Sequence, residues 1–459
     1  MTAPAPTSTA TSTATATARP VPGVGTPRPL KLPSVAERTL DNGLRVLAVR
    51  RPGVPLAELR LRVPFAAPTG KAGRTHTAQA SLLGDTLLSG TATRDAAQLA
   101  ADVQALGGQL SASTDADRLG FGGSVLVDGL PGLLDLLADV LAGASYPKRE
   151  VVGERDRLVQ ELAIYRSQAS VVAREALLHR LYGEHPYGRE LPTAEQVEQV
   201  KPSGLRALHA QRVVPAGSIL TVVGDLTPAR MLGLVEKALG GWTATGRAHD
   251  TPPVPETTVG PALLLDRPGA VQTTLRMAAS APSRANEDYA AFTLANLVFG
   301  GYFSSRWVAN IREDKGYTYS PHAQVEHPPA GSRITVSADV STPTTAAALL
   351  ETVYELGRVA TTPVTQGELD QARRYAVGTL ALGTSSQAGL ASTLSQLAGA
   401  GLGLDYLRDY PQQLAAVTVD SALEAAARYL APNRLTTVLV GDVAEVEAPL
   451  RTLVDLELG

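Results

Sequence analysis

Over residues 59–65, Leu59, Leu61, Val63 and Phe65 alternate with Arg60, Arg62 and Pro64. A period of two puts the four apolar side chains on one face, so the run predicts a strand with one buried side. Just upstream, Leu40-Asp41-Asn42-Gly43-Leu44-Arg45-Val46 reads as strand interrupted by an Asn-Gly turn. The apolar spacing turns helical from Thr77 to Leu88 and from Asp95 to Leu106, then returns to strand from Leu119 to Val127. Leu130, Leu133, Leu134, Leu137 and Leu141 next share one helical face, and a further long helix is predicted from Glu154 to Tyr165.

This order recurs. Pro215 to Leu226 and Pro432 to Val443 each contain an apolar strand that ends in Gly-Asp. The strand Ile334, Val336, Ala338, Val340, a helix around Leu349, Val353 and Leu356, and a helix from Gly367 repeat the strand, helix, helix order of Leu119 to Tyr165. Two copies of one α/β unit of about 200 residues account for the length better than unrelated domains. Between the copies, Thr251-Pro-Pro-Val-Pro-Glu256 is incompatible with helix or central strand. A linker is therefore expected over residues 249–260, with a first domain at 34–248 and a second at 261–459. Residues 1–33, rich in Thr, Ala and Pro and uncharged before Arg19, are expected to form a disordered arm.

Composition narrows the chemistry. Of 459 residues, 44% are apolar and 19% charged, the balance of a globular chain, and no apolar run reaches the ~18 residues of a membrane span. Forty-one basic and 44 acidic residues leave a net charge of −3, which gives nucleic acid or anionic lipid no electrostatic footprint. The absence of Cys excludes disulfides, a thiol nucleophile and thiolate metal sites. The start lacks both the basic residues and the apolar run of a secretory signal, so a cytoplasmic location is expected.

Two blocks carry a family resemblance. Gly300-Gly301-Tyr302-Phe303-Ser304-Ser305-Arg306-Trp307 and Ile311-Arg312-Glu313-Asp314-Lys315-Gly316-Tyr317-Thr318-Tyr319-Ser320 closely resemble the second-domain signature of the pitrilysin-type (M16) zinc peptidases. That family includes the mitochondrial processing peptidase and the core subunits of respiratory complex III. Asn42-Gly43-Leu44, Gly90-Thr91, Gly107-Gly108 and His185-Pro186-Tyr187-Gly188 match it further. The resemblance implies an α+β chain of two homologous α/β sandwich domains, with helices packed on a mainly antiparallel sheet, forming half of a clamshell.

In that family a helical His-x-x-Glu-His holds zinc, with a distant Glu as third ligand and the helical Glu as general base. Aligned on Gly90-Thr91, the corresponding positions here are Ser81, Gly84 and Asp85, while the distant position retains a carboxylate, Glu161. The zinc site is thus degenerate; an oxygen-only set of Ser81, Asp85 and Glu161 leaves a hard cation as an alternative to solvated helix carboxylates. The resemblance assigns Arg312 and Tyr319 as the Arg/Tyr pair that reaches the scissile carbonyl, where a guanidinium and a phenol suit a developing oxyanion. Seen by spacing alone, the same residues read as a surface ion pair and a core tyrosine. Ser111, Ala112 and Ser113 resemble the edge strand that takes a substrate peptide as an added strand.

His322-Ala-Gln-Val-Glu326-His327 has one residue too many for a zinc helix and is followed by Pro328 and Pro329, so it is read as no metal site. His185 is read as a turn or packing residue. The expected role is a zinc-free subunit that supplies Arg312 and Tyr319 in trans to a zinc-motif M16 partner. Such a chain needs no cofactor of its own, with zinc on the partner and an unfolded peptide as substrate. The alternative is a non-catalytic scaffold or peptide-binding protein like the complex III core subunits.

Overall fold

Two six-stranded sheets organise the computed structural model, which describes residues 33–459. Apart from Pro33, the arm expected over 1–33 lies outside the described residues. The first sheet comprises β1 (Val35–Thr39), β2 (Arg45–Arg50), β3 (Leu56–Pro64), β4 (Gln109–Thr114), β5 (Arg118–Leu126) and β6 (Ile219–Gly224), in the order β1-β2-β6-β3-β5-β4. Only β2 and β6 pair in parallel; the other neighbours are antiparallel. The second comprises β7 (Ala262–Asp266), β8 (Gln272–Ala281), β9 (His322–Glu326), β10 (Ser332–Ser341), β11 (Thr436–Gly441) and β12 (Leu456–Leu458), in the order β12-β7-β11-β8-β10-β9.

Read side by side, β7, β11, β8, β10 and β9 take the places of β2, β6, β3, β5 and β4, so the repeat seen in the apolar pattern is a repeat of topology. The outermost strand differs. β1 runs antiparallel to β2, whereas β12 comes from the end of the chain and runs parallel to β7.

The alternation along β3 has the expected consequence. Leu59, Leu61 and Val63 are buried with Leu119, Phe121 and Val125 of β5 against the Gly70–Thr86 and Leu130–Gly143 helices. Each such side chain contributes ~1.5–3 kcal/mol by leaving water. The Asn42-Gly43 turn also forms where the sequence places it, with Gly43 at φ +89°, a conformation that favours glycine.

The opposite faces of the sheets are covered by an exchange of helices. The Ala169–Tyr182 helix of the first half packs on β11 and β8, burying Ala173, Leu177 and Leu181 against Ala278, Val438 and Val440. Reciprocally, the Gln387–Gly399 helix of the second half packs on β6 and β3. There Arg60 Nε donates to Ser392 Oγ at 3.2 Å and Gln387 Nε2 to the Arg51 carbonyl at 2.7 Å. Because each half supplies part of the other's packing, residues 33–459 belong to a single compact unit.

Two details differ from the sequence reading. The first long helix begins at Gly70 rather than Thr77, since its opening turns carry Gly70 and Gly73, no side-chain cap and no apolar period to announce them. The Pro-rich stretch has neither helix nor strand, yet it is fastened: His185 Nε2 bonds the Pro252 carbonyl at 2.8 Å, and Thr251 bonds Asp117.

Candidate functional site

In each half, the segment between the strands equivalent to β3 and β4 carries the candidate chemistry. In the second half this is the connection from β8 to β9, and it is built from the inside out. Trp307 is fully buried, stacks on Phe299 with ring centroids 5.4 Å apart, and donates from Nε1 to Thr352 Oγ1 at 3.0 Å. Gly300 permits this approach: a Cβ there would lie 2.9 Å from Trp307 Cε3. Arg306 grips Glu368 through two bonds of 2.6 and 2.8 Å, and this ion pair holds the Glu368 carboxyl down at about pKa 2. Asn310 Nδ2 reaches Glu351 and Glu355, each at 3.0 Å.

On that base, residues Ala309–Asp314 form a widened, π-helical turn with Ile311 buried beneath it. Such turns are uncommon and recur at functional positions. This one directs Arg312 outward, its Cζ 4.3 Å from the centroid of Phe303 and 5.2 Å from that of Tyr319. The guanidinium thus lies against two aromatic rings, an arrangement that fixes it while leaving its N–H groups free to donate. Among the described residues its sole carboxylate neighbour is the adjacent Glu313, at 3.4 Å. Tyr319 is positioned by Thr318, which bridges to Val340 of β10 and donates to the Asp339 carbonyl at 2.7 Å. With 83% of its surface exposed, Tyr319 is no core residue, and Phe303 is 61% exposed. The structure therefore brings Arg312 and Tyr319 together at an open surface. Phe303 was missed by the sequence reading, although it lies inside the matching block, because spacing does not reveal which rings flank a cation.

The first-half counterpart, between β3 and β4, is arranged quite differently. Ser81 donates its hydroxyl to the Thr77 carbonyl of its own helix at 3.1 Å. Gly84 faces the end of β4, where an added Cβ would meet Thr114 Oγ1 at 3.2 Å, and Thr114 itself bonds the Ala80 carbonyl at 3.1 Å. Glu161 does not approach as a ligand. On the Lys148–Arg166 helix, Arg157 holds Glu161 at 2.5 Å and Glu154 at 2.6 Å. Protein crowding around Asp85 raises its carboxyl above the ordinary value; Arg157 opposes that shift, while Glu154 and Glu161 add to it. Zinc does not fit this set: one ligand position is a hydroxyl already engaged, another is a carboxyl whose surroundings favour its protonated form, the third is ion-paired, and the base position has no side chain. Among the described residues, no three His, Asp or Glu side chains are grouped to hold a metal.

Ser111, Ala112 and Ser113 lie on β4, which among the described residues pairs only with β5 and so leaves one backbone edge free there. Ser111 and Ser113 are exposed and Ala112 is half-buried. His322 and His327 stay apart in role: His322 opens β9, while His327 bonds Tyr289 and Ser332 at 3.1 and 2.9 Å. His185 caps a short turn by accepting from the Tyr187 N–H at 3.1 Å. None of the helices among the described residues is long and apolar enough to cross a membrane.

Comparison with known proteins adds the lineage. A family model described as Insulinase (Peptidase family M16) matches residues 79–195, and one described as Peptidase M16 inactive domain matches residues 200–375. The chain is 30% identical over 296 residues to a protein of Mycobacterium leprae named an uncharacterised zinc protease, a match spanning 64% of this chain and 66% of the relative, just under two thirds of its length. A Mycobacterium bovis protein of the same designation is 27% identical over 412 residues, covering 88% of this chain and 92% of the relative. Among solved structures, an M16 inactive domain from Pseudomonas fluorescens superposes with a TM-score of 0.81 at 22% identity, over 89% of this chain and 98% of that one. A Helicobacter pylori protease gives a TM-score of 0.81 at 19% identity, over 90% and 100%. At these identities the two structures bear on the fold alone.

Proposed function

The chain belongs to the M16 peptidase family, and from that premise we propose that it is the zinc-free subunit of a two-chain peptidase. In this reading a zinc-motif M16 chain supplies the metal, and this chain supplies Arg312 and Tyr319 across the shared cleft. The observation that carries the proposal is the Arg312 guanidinium held against Phe303 and Tyr319 on a packed base, with its donors uncommitted to any distant carboxylate among the described residues.

The chemistry follows from those donors. As a peptide carbonyl gains negative charge, the guanidinium N–H groups and the Tyr319 hydroxyl can donate to its oxygen, an interaction stronger in the transition state than in the ground state. The base beneath them limits the reorganisation needed at that moment. The free edge of β4 at Ser111, Ala112 and Ser113 supports a second role, pairing with an extended peptide through backbone hydrogen bonds.

The test is peptide cleavage by this chain alone, by a His-x-x-Glu-His M16 chain from the same organism alone, and by the two mixed. Cleavage only in the mixture is the expected result. A mixture that forms no complex and cleaves nothing, with both chains folded, would reject the split enzyme and favour the scaffold reading.

A further inference from the structure

A cavity of about 720 Å³ lies between the two halves, distinct from the Arg312 surface. Its size falls within the ~300–1,000 Å³ range of small-ligand sites. The end of β4 opens into it, since Thr114 and the following turn line its wall, as does Ser81. The far wall comes from the second half, including Arg284 and Arg333.

Its charge is unbalanced in a particular way. The four lining carboxylates are all engaged within the protein. Glu190 and Glu326 pair with Arg174 and Arg333, Asp115 pairs with Arg118, and Asp117 accepts from Tyr187 and Thr251. Arg62 and Arg284, which also line the cavity, have no carboxylate within 4.0 Å among the described residues. Arg284 rests on the Tyr289 ring at 5.8 Å. Arg62 extends from β3 across Gly120 of β5, its direct cross-strand neighbour, and lies against Gly399, where a Cβ would come within 2.6 Å of the guanidinium. Burial and the nearby Arg118 lower the Arg62 pKa to about 10, with Asp115 and Asp117 opposing the shift, so it stays charged at neutral pH. His76 of the first half and His327 of the second also line the cavity and are held neutral by burial, at about pKa 4. A third sign is Arg333, whose side chain is 4% exposed and whose Nε has no acceptor among the described residues. Half-buried guanidinium groups without a carboxylate in direct ion-pair contact are the groups that an incoming anion relieves.

We propose that this cavity is a subsite for a carboxylate of a bound peptide, gripped by Arg62 and Arg284. The inference rests on the peptide-binding part of the functional reading: a strand added along the free edge of β4 is delivered to the cavity at Thr114. Two sources of carboxylate are compatible with the charge. A strand running parallel to β4 brings its C-terminal carboxylate to the cavity, whereas an antiparallel strand reaches it only with an Asp or Glu side chain.

The experiment measures binding to the full chain of three forms of one N-acetylated, unstructured peptide: the free acid without Asp or Glu, its C-terminal amide, and the amide with one internal Glu. The expected result is binding of the acid or the Glu form about tenfold tighter than the plain amide. Tighter binding of the acid identifies the chain end as the source, and of the Glu form the side chain. Arg62→Gln and Arg284→Gln should each remove the preference, and Gly399→Ala should weaken it by displacing a flexible guanidinium without cutting into the core. Equal binding of all three forms overturns the subsite and leaves peptide binding standing. No binding of any form overturns both, and the wild-type comparison decides this even if a variant fails to fold.

Discussion

The β3–β4 connection of the first half and the β8–β9 connection of the second occupy the same slot in a repeated topology, yet they have been put to opposite uses. In the first, Ser81 bonds its own helix and Gly84, at the base position, admits Thr114, while Glu161, on the later Lys148–Arg166 helix, is neutralised by Arg157. In the second, a buried tryptophan, a bidentate ion pair and a widened helical turn all serve to hold one guanidinium at the surface. The difference teaches that a shared fold fixes where chemistry can sit, while packing beneath the slot decides whether it is kept.

The comparison makes unequal demands on stability. Trp307→Ala should cost ~3–5 kcal/mol by leaving a large cavity under the Arg312 turn, measured by urea denaturation. A loss well under that would mean the base is not what holds the site. Gly300→Ala should cost about 1–3 kcal/mol, because its Cβ has nowhere to go beside Trp307; a neutral result would show that the indole can yield.

The halves can also be compared through pH. His76 in the first half and His327 in the second both have pKa values lowered to about 4, chiefly by burial, with Arg212 and Arg284 adding to it respectively. The unfolded chain binds more protons between that value and the ordinary ~6.5. Their contribution to stability is therefore complete above about pH 6.5 and is lost as pH falls toward 4, at about 1.4 kcal/mol per pH unit for each histidine. His76→Gln and His327→Gln should each lessen the slope of one shared unfolding transition, as the exchanged helices require. Two separate transitions, each sensitive to one variant, would show that the halves unfold independently.

The smallest effect is expected at the abandoned metal position. Glu161→Gln removes one partner of a solvent-exposed pair within a helix, worth about 0.3–0.5 kcal/mol, and should leave activity of the complex unchanged. A large loss of activity or of bound metal would show that the position is still in use.

Much of this was legible in the chain. The alternation at Leu59 to Phe65 and the two Gly-Asp strands gave the sheet repeat, since a period of two is imposed by the backbone itself. The Gly300 to Ser320 block located Arg312 and Tyr319 in one place. What was hidden depends on contacts between residues distant in sequence. Nothing in Ala169–Tyr182 or Gln387–Gly399 says that each helix covers the other half's sheet, because an apolar face does not name its partner. Phe303 as a flanking ring, Arg157 as the neutraliser of Glu161, and the lack of a direct ion pair at Arg62 and Arg284 among the described residues are likewise properties of the folded neighbourhood. The Gly70–Thr77 stretch was missed for a simpler reason, as its glycines and polar residues give no helical period to read.

The central claim is that this chain acts in trans through Arg312 and Tyr319. It is tested most directly by the kcat of a complex reconstituted from a wild-type zinc-motif chain and either wild-type, Arg312→Ala or Tyr319→Phe protein. Assembly and metal content should be unaffected and kcat should fall by about 10²-fold or more, the scale for losing an oxyanion donor. Wild-type kcat in both variants would contradict it.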